Sequence, residues 1–496
     1  MTKTALAPTL VLAAALVGCG SARSPIAPPA QDVLMFDAAG YQMRQLTVDG
    51  RSFAVRAYEG LPTVRQPVDA RLQTINVYVP EGYFHGASVG GYTARTAPIF
   101  LPNQVGGYMP APPGTAQPPA EGPGAGRAST IAVALSKGHV VASPGARGRT
   151  TADGKAPAAI VDLKAAVRWL RHNDARMPGD AEKIIANGTS AGGALSALLG
   201  ASGNHPDYAA ALAALGAAEA RDDIFAVSAY CPITNLENAD AAYEWQFRGI
   251  TDYMAMKIDM VDFRVQRKLV PGALTAAQRA ASEALAPAFA AYVNGLGLRG
   301  AQGEPLTLDA AGNGPFKDQV ARHVLASAAQ ATAAGQLKDV PAWLRMHGEQ
   351  VAGMDFGAYA RAIGRVKAAP AFDGLALENP ENQLFGSASV DKRHFTADAA
   401  RRGAVAGAPL ADAQTVKMMN AMRYIGDASA RTAHYWRIRH GTDDRDTSLA
   451  VPVMLATRLA NTGRRVDFAL PWGRPHSGDY DLDELFAWMA QVSAAP

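Results

Sequence analysis

The sequence predicts an α/β fold, a mostly parallel sheet covered by helices on both faces and interrupted by a large helical insertion. Three observations predict it. Short apolar runs alternate with helical patterns through the first half and again near the C-terminal end, as strands buried on both faces do. From about Asn238 to Tyr424 strand signals nearly vanish and Ala-rich helical runs replace them. One strand-to-helix junction reads Gly188-Thr189-Ser190-Ala191-Gly192, with Lys183–Asn187 as the strand before it and Gly193–Leu199 opening the helix after it.

The elements follow in order. Gln45–Val48, Ser52–Arg56 and Thr74–Val79 read as an antiparallel entry, with Asp49-Gly50 as a hairpin turn. Pro98–Leu101 is a buried strand leading into Asn103–Tyr108, and Pro110–Ala128 is a Pro- and Gly-rich surface excursion. Ile131–Leu135 starts a helix, His139–Ser143 is a strand and Gly145–Lys155 a polar loop. Ala158–His172 reads as an amphipathic helix, because Ile160, Leu163, Ala166, Val167 and Leu170 recur at helical spacing. Ile224–Ile233 is a further strand. The insertion carries helical runs at Ala276–Asn294, Phe316–Ala334 and Phe356–Val366. The α/β pattern then returns with strands at His434–Ile438 and Val466–Leu470 and helices at Ser448–Asn461 and Leu482–Val492.

At 496 residues the chain is too long for one compact α/β domain without an insertion. Hydrophobic residues make up 48%, enough for a sizeable core. A net charge of +3 without a basic stripe argues against nucleic acid as a partner. Lys3 and the apolar run Ala5–Val17 form a targeting segment, shorter than the ~20 residues that span a bilayer. Leu16-Val17-Gly18-Cys19 resembles a lipobox, a signal in which the cysteine is lipidated and becomes the mature N-terminus. Gly20 stands where an inner-membrane retention signal has Asp, so the expected location is the outer membrane of an exporting bacterium. The expected layout is a signal peptide over 1–19, a tether over 20–32, core over 33–237, lid over 238–424 and core again over 425–496. With Cys19 lipidated, Cys231 has no partner and reads as a buried structural thiol. No Cys/His cluster has zinc spacing, so no metal and no cofactor are expected.

Gly-x-Ser-x-Gly on a sharp strand-to-helix turn holds a serine hydroxyl out from the sheet. Such a hydroxyl needs a base, and the base needs an orienting acid. Both follow downstream in the order this architecture uses. His440-Gly441-Thr442-Asp443-Asp444-Arg445-Asp446 and Pro471-Trp472-Gly473-Arg474-Pro475-His476-Ser477-Gly478-Asp479-Tyr480 each lie just past a strand's carboxyl end, where sites open in α/β sheets. His476 is the candidate base. His440 competes, but it sits where the acid belongs, and its bland role is a satisfied polar residue beside the acid loop. Spacing leaves Asp443, Asp444 and Asp446 open as the acid. One oxyanion donor is the Ala191 N–H; a second is expected from Gly106 or Gly107, where the backbone can approach closely.

Together these segments resemble the bacterial tannases of the α/β-hydrolase superfamily, which cleave galloyl esters. A fourth segment agrees, Lys367-Ala368-Ala369-Pro370-Ala371-Phe372-Asp373 followed by Glu381-Asn382-Gln383-Leu384-Phe385-Gly386. The resemblance covers about Ile75 to the C-terminus and departs in the excursion after Tyr108. It implies Ser190 as nucleophile, His476 as base and Asp444 as triad acid. It further implies Lys367, Glu381 and Asp446 as the groups that hold the ring hydroxyls, and a large inserted helical lid on the α/β-hydrolase sheet. The implied activity is galloyl ester hydrolysis, with a small aromatic ester as the partner and a membrane met through the N-terminal lipid. A feruloyl or general carboxylesterase would keep the triad with little use for Lys367, Glu381 and Asp446. A serine peptidase and a non-catalytic polyphenol-binding lipoprotein are more distant alternatives.

Overall fold

The computed structural model describes residues 1–2, 32–118, 126–261 and 264–494, apart from the side chains of 256–267. Most of the leader and tether, Cys19 included, lies outside the described residues.

The chain opens with β1 (Gln42–Val48), β2 (Arg51–Pro62), β3 (Thr74–Pro80) and β4 (Pro98–Pro102). Asp49 and Gly50 both take positive φ, 49° and 75°, which suits the tight hairpin between β1 and β2. Next come α1 (Thr130–Ser136), β5 (Val140–Pro144), α2 (Ala158–His172), β6 (Asp180–Thr189), α3 (Ala191–Ala201), α4 (Ala209–Ala214) and β7 (Ala226–Tyr230).

After β7 the chain leaves the sheet. It forms α5 (Leu236–Phe247), β8 (Asp252–Val261), β9 (Arg264–Ala273), α6 (Ala276–Gly295), α7 (Pro315–Ala333), β10 (Leu344–His347) and β11 (Gln350–Met354). Then follow α8 (Phe356–Ile363), α9 (Pro380–Leu384), α10 (Ala397–Arg402) and α11 (Ala413–Met418). The sheet resumes with β12 (Tyr435–Arg439), α12 (Ala450–Asn461), β13 (Arg465–Ala469) and α13 (Leu482–Ser493).

Among the described residues nine strands form one sheet in the order β1-β2-β3-β5-β4-β6-β7-β12-β13. The first three join β5 through antiparallel pairs. From β5 to β13 every pair is parallel. The inner strands β4, β5 and β7 are buried and largely apolar because both faces are covered, while β12 buries Arg437 and Arg439 among its apolar residues. Alternate residues divide between two cores: Ile99, Val140 and Ile184 face one, Phe100, Val141 and Ile185 the other.

Two expectations change. The polar stripe of α2 does not face water. Asp162 is buried against Arg147 and Gln73, and Lys164 against Asp222 and the Ser202 carbonyl. Its helical spacing marks the deeper face of a helix buried all round. The insertion is also not wholly helical: β8 pairs with β9 and β10 with β11 as antiparallel hairpins. Met254, Met256, Ile258 and Met260 alternate with Ala255, Lys257 and Asp259, the period of a strand. Around α5–α8 the insertion has an aromatic core in which Trp245 meets Phe289, Phe316 and Phe356 at ring-centroid distances of 5.3, 6.1 and 5.3 Å. No described helix is long and apolar enough to cross a membrane.

Candidate active site

Four parallel strands end side by side, and the residues after them face one another. Ser190 follows β6, Cys231 follows β7, His440 follows β12, and the His476 loop follows β13. Each of the first three extends the ladder by one hydrogen bond. Ser190 N donates to the Tyr230 carbonyl at 3.0 Å, Cys231 N to Arg439 at 2.7 Å and His440 N to Ala469 at 3.2 Å. Strand register therefore sets these positions level with one another.

Ser190 takes φ 60° and ψ −122°, the strained geometry of a nucleophile elbow. A Cβ on Gly192 would lie 2.6 Å from Asn103 Oδ1 and 2.7 Å from the Val105 carbonyl. A side chain there would push the loop after β4 off the elbow. Asn103 ties that loop down, since its Nδ2 lies 3.1 Å from the Asn187 and Gly192 carbonyls and 3.0 Å from Ser196 Oγ. Ala191 opens α3 directly after the serine. Of the two glycine candidates, Gly106 lines the same cleft as Ser190. Gly107 is turned aside, and its carbonyl accepts from Arg149 Nε at 2.8 Å.

His476 Nδ1 is 2.8 Å from Asp444 Oδ2. With the carboxylate as acceptor, Nδ1 carries the proton and Nε2 is left as the basic nitrogen. Asp444 is fully buried, and its Oδ1 accepts from Asp446 N at 2.9 Å. Burial pushes the Asp444 carboxyl up, but His440 and His476 outweigh it and hold the group well below the usual carboxylate range. Burial pushes the His476 imidazole down, while Asp444 and then Asp446 raise it, for a net upward shift. Asp443 points elsewhere, with Oδ1 3.3 Å from Thr442 Oγ1. The two loops are stitched by Thr442 N to the Pro471 carbonyl and Gly473 N to Thr442 Oγ1, at 3.0 and 2.8 Å. Gly478 brings the His476 loop against the elbow, since a Cβ there would collide with Thr189 Oγ1. His476 and Ser190 are not hydrogen-bonded to each other, a looseness common before substrate binds.

The insertion supplies the opposite wall. Lys367 Nζ sits 4.0 Å from the centre of the Phe372 ring. Glu381 lies in the first turn of α9 and is 7% exposed. No other described residue hydrogen-bonds its carboxylate, which its own backbone N–H approaches closely enough to lower its pKa. Burial raises its pKa, with Lys367 and Arg149 opposing and Asp446 reinforcing. Lys367 and Asp446 thus lie close enough to both Glu381 and His476 to act on their charges. Tyr108 is near Glu381 too, which adds to the burial that raises its phenol.

Several residues at this site escaped the sequence reading. Asp240 on α5 accepts from Phe372 N at 2.7 Å and Asp373 N at 3.1 Å. Asp373 in turn accepts from Asn382 Nδ2, Phe395 N and Thr396 N and pairs with His394 Nδ1 at 2.7 Å. This buried network holds the loop that carries Lys367 and Glu381. Tyr359 and Tyr243 donate to the Thr442 and Arg445 carbonyls at 2.6 and 3.0 Å, so the insertion also grips the acid loop. Asp240 shares α5 with Glu237 and Glu244, so its local sequence offered no signal.

Two side chains read as bland prove to touch the site. Cys231 is buried and free, and its Sγ, an Asp444 oxygen and a His476 nitrogen lie within 4.8 Å of one another. Such a trio could in principle hold an ion, but its carboxylate and imidazole already bond to each other. His440 is not the satisfied residue expected. Neither ring nitrogen has a hydrogen-bond partner among the described residues, and Nδ1 stands 3.7 Å from Asp444 Oδ2. Burial lowers its pKa, against the pull of Asp444.

A family model described as BD-FAE matches residues 122–265. The esterase LipC of Mycobacterium tuberculosis is 46% identical over 56 residues, 11% of this chain and 14% of that protein, so the match spans a small part of its length. Solved structures match over nearly the whole chain. A tannase from Lactobacillus plantarum is 48% identical with a TM-score of 0.89, covering 93% of this chain and 100% of that one. The Fusobacterium nucleatum tannase is 46% identical with a TM-score of 0.87, covering 93% and 99%. A tannin acyl hydrolase in complex with ethyl gallate is 48% identical with a TM-score of 0.86, again covering 93% and 99%. At this identity and coverage, the chain belongs to the bacterial tannases, ester hydrolases on the α/β-hydrolase fold.

Proposed function

We propose that this protein hydrolyses galloyl esters through Ser190, His476 and Asp444. Ser190 Oγ attacks the ester carbonyl while His476 Nε2 takes its proton. The Ala191 and Gly106 N–H groups receive the developing oxyanion. His476 then protonates the departing alcohol, leaving a galloyl group on Ser190. Water, deprotonated by the same nitrogen, releases gallate and restores the serine. Asp444 holds the imidazole tautomer and steadies its positive charge. The steps use no cofactor.

Glu381 carries the galloyl part of the reading. A buried carboxylate that no other residue hydrogen-bonds is costly unless a ligand completes it. Adjacent phenolic hydroxyls donate to carboxylates such as Glu381 and Asp446, while Lys367 donates to their oxygens. Complexes of a similar tannin acyl hydrolase with ethyl gallate and with 3,4-dihydroxybenzoate are in keeping with this. Residues 238–424 serve as the lid that closes the ring-binding chamber. Cys19 is the lipidation site of an exported protein, retained at the outer membrane.

The test compares methyl gallate with methyl ferulate, using Ser190→Ala as blank and protein lacking residues 1–19. Rapid gallate release with ferulate nearly untouched is expected. Comparable rates would leave a serine esterase without galloyl selectivity. Lipidation is read separately, as radiolabelled fatty acid incorporated by the full chain and lost in Cys19→Ser.

A further inference from the structure

No segment of the sequence has zinc spacing, yet the fold gathers ligands of that kind from the ends of β7, β12 and β13. Cys231 Sγ, an Asp444 oxygen and a His476 nitrogen lie within 4.8 Å of one another. Thiolate, imidazole and carboxylate bind a thiophilic cation through bonds of about 2.0–2.3 Å, which sets ligand atoms roughly 3–4 Å apart.

His440 is a second and independent sign. It is fully buried, and neither ring nitrogen has a hydrogen-bond partner among the described residues. Its Nδ1 stands 3.7 Å from Asp444 Oδ2, too far for a hydrogen bond and close enough for both atoms to share a cation. Burial favours the neutral ring, and a neutral imidazole keeps a lone pair on one nitrogen. A buried ring so placed is costly unless something completes it. The backbone delivers both side chains to one level, since Cys231 N donates to the Arg439 carbonyl at 2.7 Å. The His476 side chain is 22% exposed, so an ion reaches the buried three past that imidazole.

The bond between Asp444 and His476 decides what such an ion does. Asp444 Oδ2 accepts from His476 Nδ1 at 2.8 Å. A cation on Nδ1 takes the lone pair that the proton held. In the neutral ring the proton then sits on Nε2, the nitrogen that must accept from Ser190. Cys231 binds as thiolate, and its proton goes to solvent. Asp444 is already ionised.

We propose that Cys231, Asp444, His476 and His440 form an inhibitory site for a thiophilic divalent cation such as Zn²⁺ or Cd²⁺, which stops the triad by fixing His476 in the wrong tautomer. The inference rests on the triad and is independent of galloyl selectivity.

The test uses the full chain with Cys19→Ser, which leaves Cys231 as its one thiol. Methyl gallate hydrolysis is followed with free Zn²⁺ fixed by a metal buffer, because gallate itself chelates. Zn²⁺ and Cd²⁺ should lower kcat with KM unchanged, and a chelator should restore it. Mg²⁺ and Ca²⁺, which take oxygen ligands, should have no effect. Measured against its own metal-free rate, Cys231→Ala should need about 10²-fold more free Zn²⁺ for half inhibition, and His440→Phe about tenfold more. Binding is read separately in the ultraviolet, where a single Cd²⁺ per chain should raise a thiolate-to-metal charge-transfer band. No inhibition of the parent protein, inhibition that raises KM alone, or equal sensitivity in a folded Cys231→Ala would overturn the site. So would absence of the band, whether or not either variant folds. Absence of Ser190-dependent hydrolysis would overturn the esterase reading instead, and the band would still decide the ligand set.

Discussion

The two walls of the candidate site are built on opposite terms. On the sheet side the working groups are already paired: Asp444 and His476 are hydrogen-bonded, and strand register levels the positions around them. On the insertion side the working group is left open while everything behind it is satisfied. No other described residue hydrogen-bonds Glu381, yet behind its loop Asp240 accepts from two backbone N–H groups and Asp373 from several donors. A group that must move a proton is best held in one orientation beforehand. A group that must recognise a ligand keeps its lone pairs free for it, at a cost in stability.

The comparison can be broken most sharply at the paired wall. Ser190→Ala should lower kcat on methyl gallate about 10⁶-fold, and Asp444→Asn about 10⁴-fold by favouring the wrong imidazole tautomer. Single-turnover gallate release checks both, and a loss below tenfold in Asp444→Asn would detach Asp444 from the triad. Next in size is the scaffold behind the open wall. Asp373→Ala strands five hydrogen-bond partners and should lower unfolding free energy by about 3–5 kcal/mol in denaturant titrations.

Glu381→Gln should do the reverse in kind. Its kcat/KM on methyl gallate should fall about 10²-fold, with much less change on methyl benzoate, which has no hydroxyls to read. Stability should rise slightly. A carboxyl whose folded pKa is raised above the ordinary 4.5 loses stability as pH climbs from that value through the folded pKa, and the amide is free of that loss. A less stable Glu381→Gln would show the carboxylate to be structural.

The mildest effect is in pH. Because the His476 pKa is raised above 6.5, the acid limb of the kcat/KM profile should lie above pH 6.5, and activity should grow as the imidazole deprotonates. Any stability that this His contributes is complete below 6.5 and fades as pH rises through the folded value. Asp444 acts oppositely: its stabilisation is present above 3.8 and is lost as pH falls towards its depressed value. An acid limb below 6.5 would mean that Asp444 does not charge-pair with His476 in solution.

Legibility in the sequence followed the range of the interaction. Strands β3 to β7, the α2 bounds and the elbow are written within ten or fifteen consecutive residues, and periodicity displays them. The loops bearing Asp444 and His476 could be placed because each follows a strand. Hairpin β8–β9 was overlooked although its alternation was visible, since the Ala-rich runs around it favour helix. Asp240 could not be matched with Asp373, because that contact joins residues 133 apart through backbone N–H groups. His440 was misjudged, and the contact of the buried Cys231 with the triad was missed, for a related reason. A local pattern gives burial, but not what a buried atom lies against.

The ladder bonds that follow β6, β7 and β12 also bear on how such an enzyme can diversify. Because the sheet itself sets the level of Ser190, Cys231 and His440, the length of chain between β7 and β12 is not a variable of that geometry. A lineage can lengthen, shorten or exchange that excursion, and with it the choice of aromatic ring, while inheriting the same reaction unchanged.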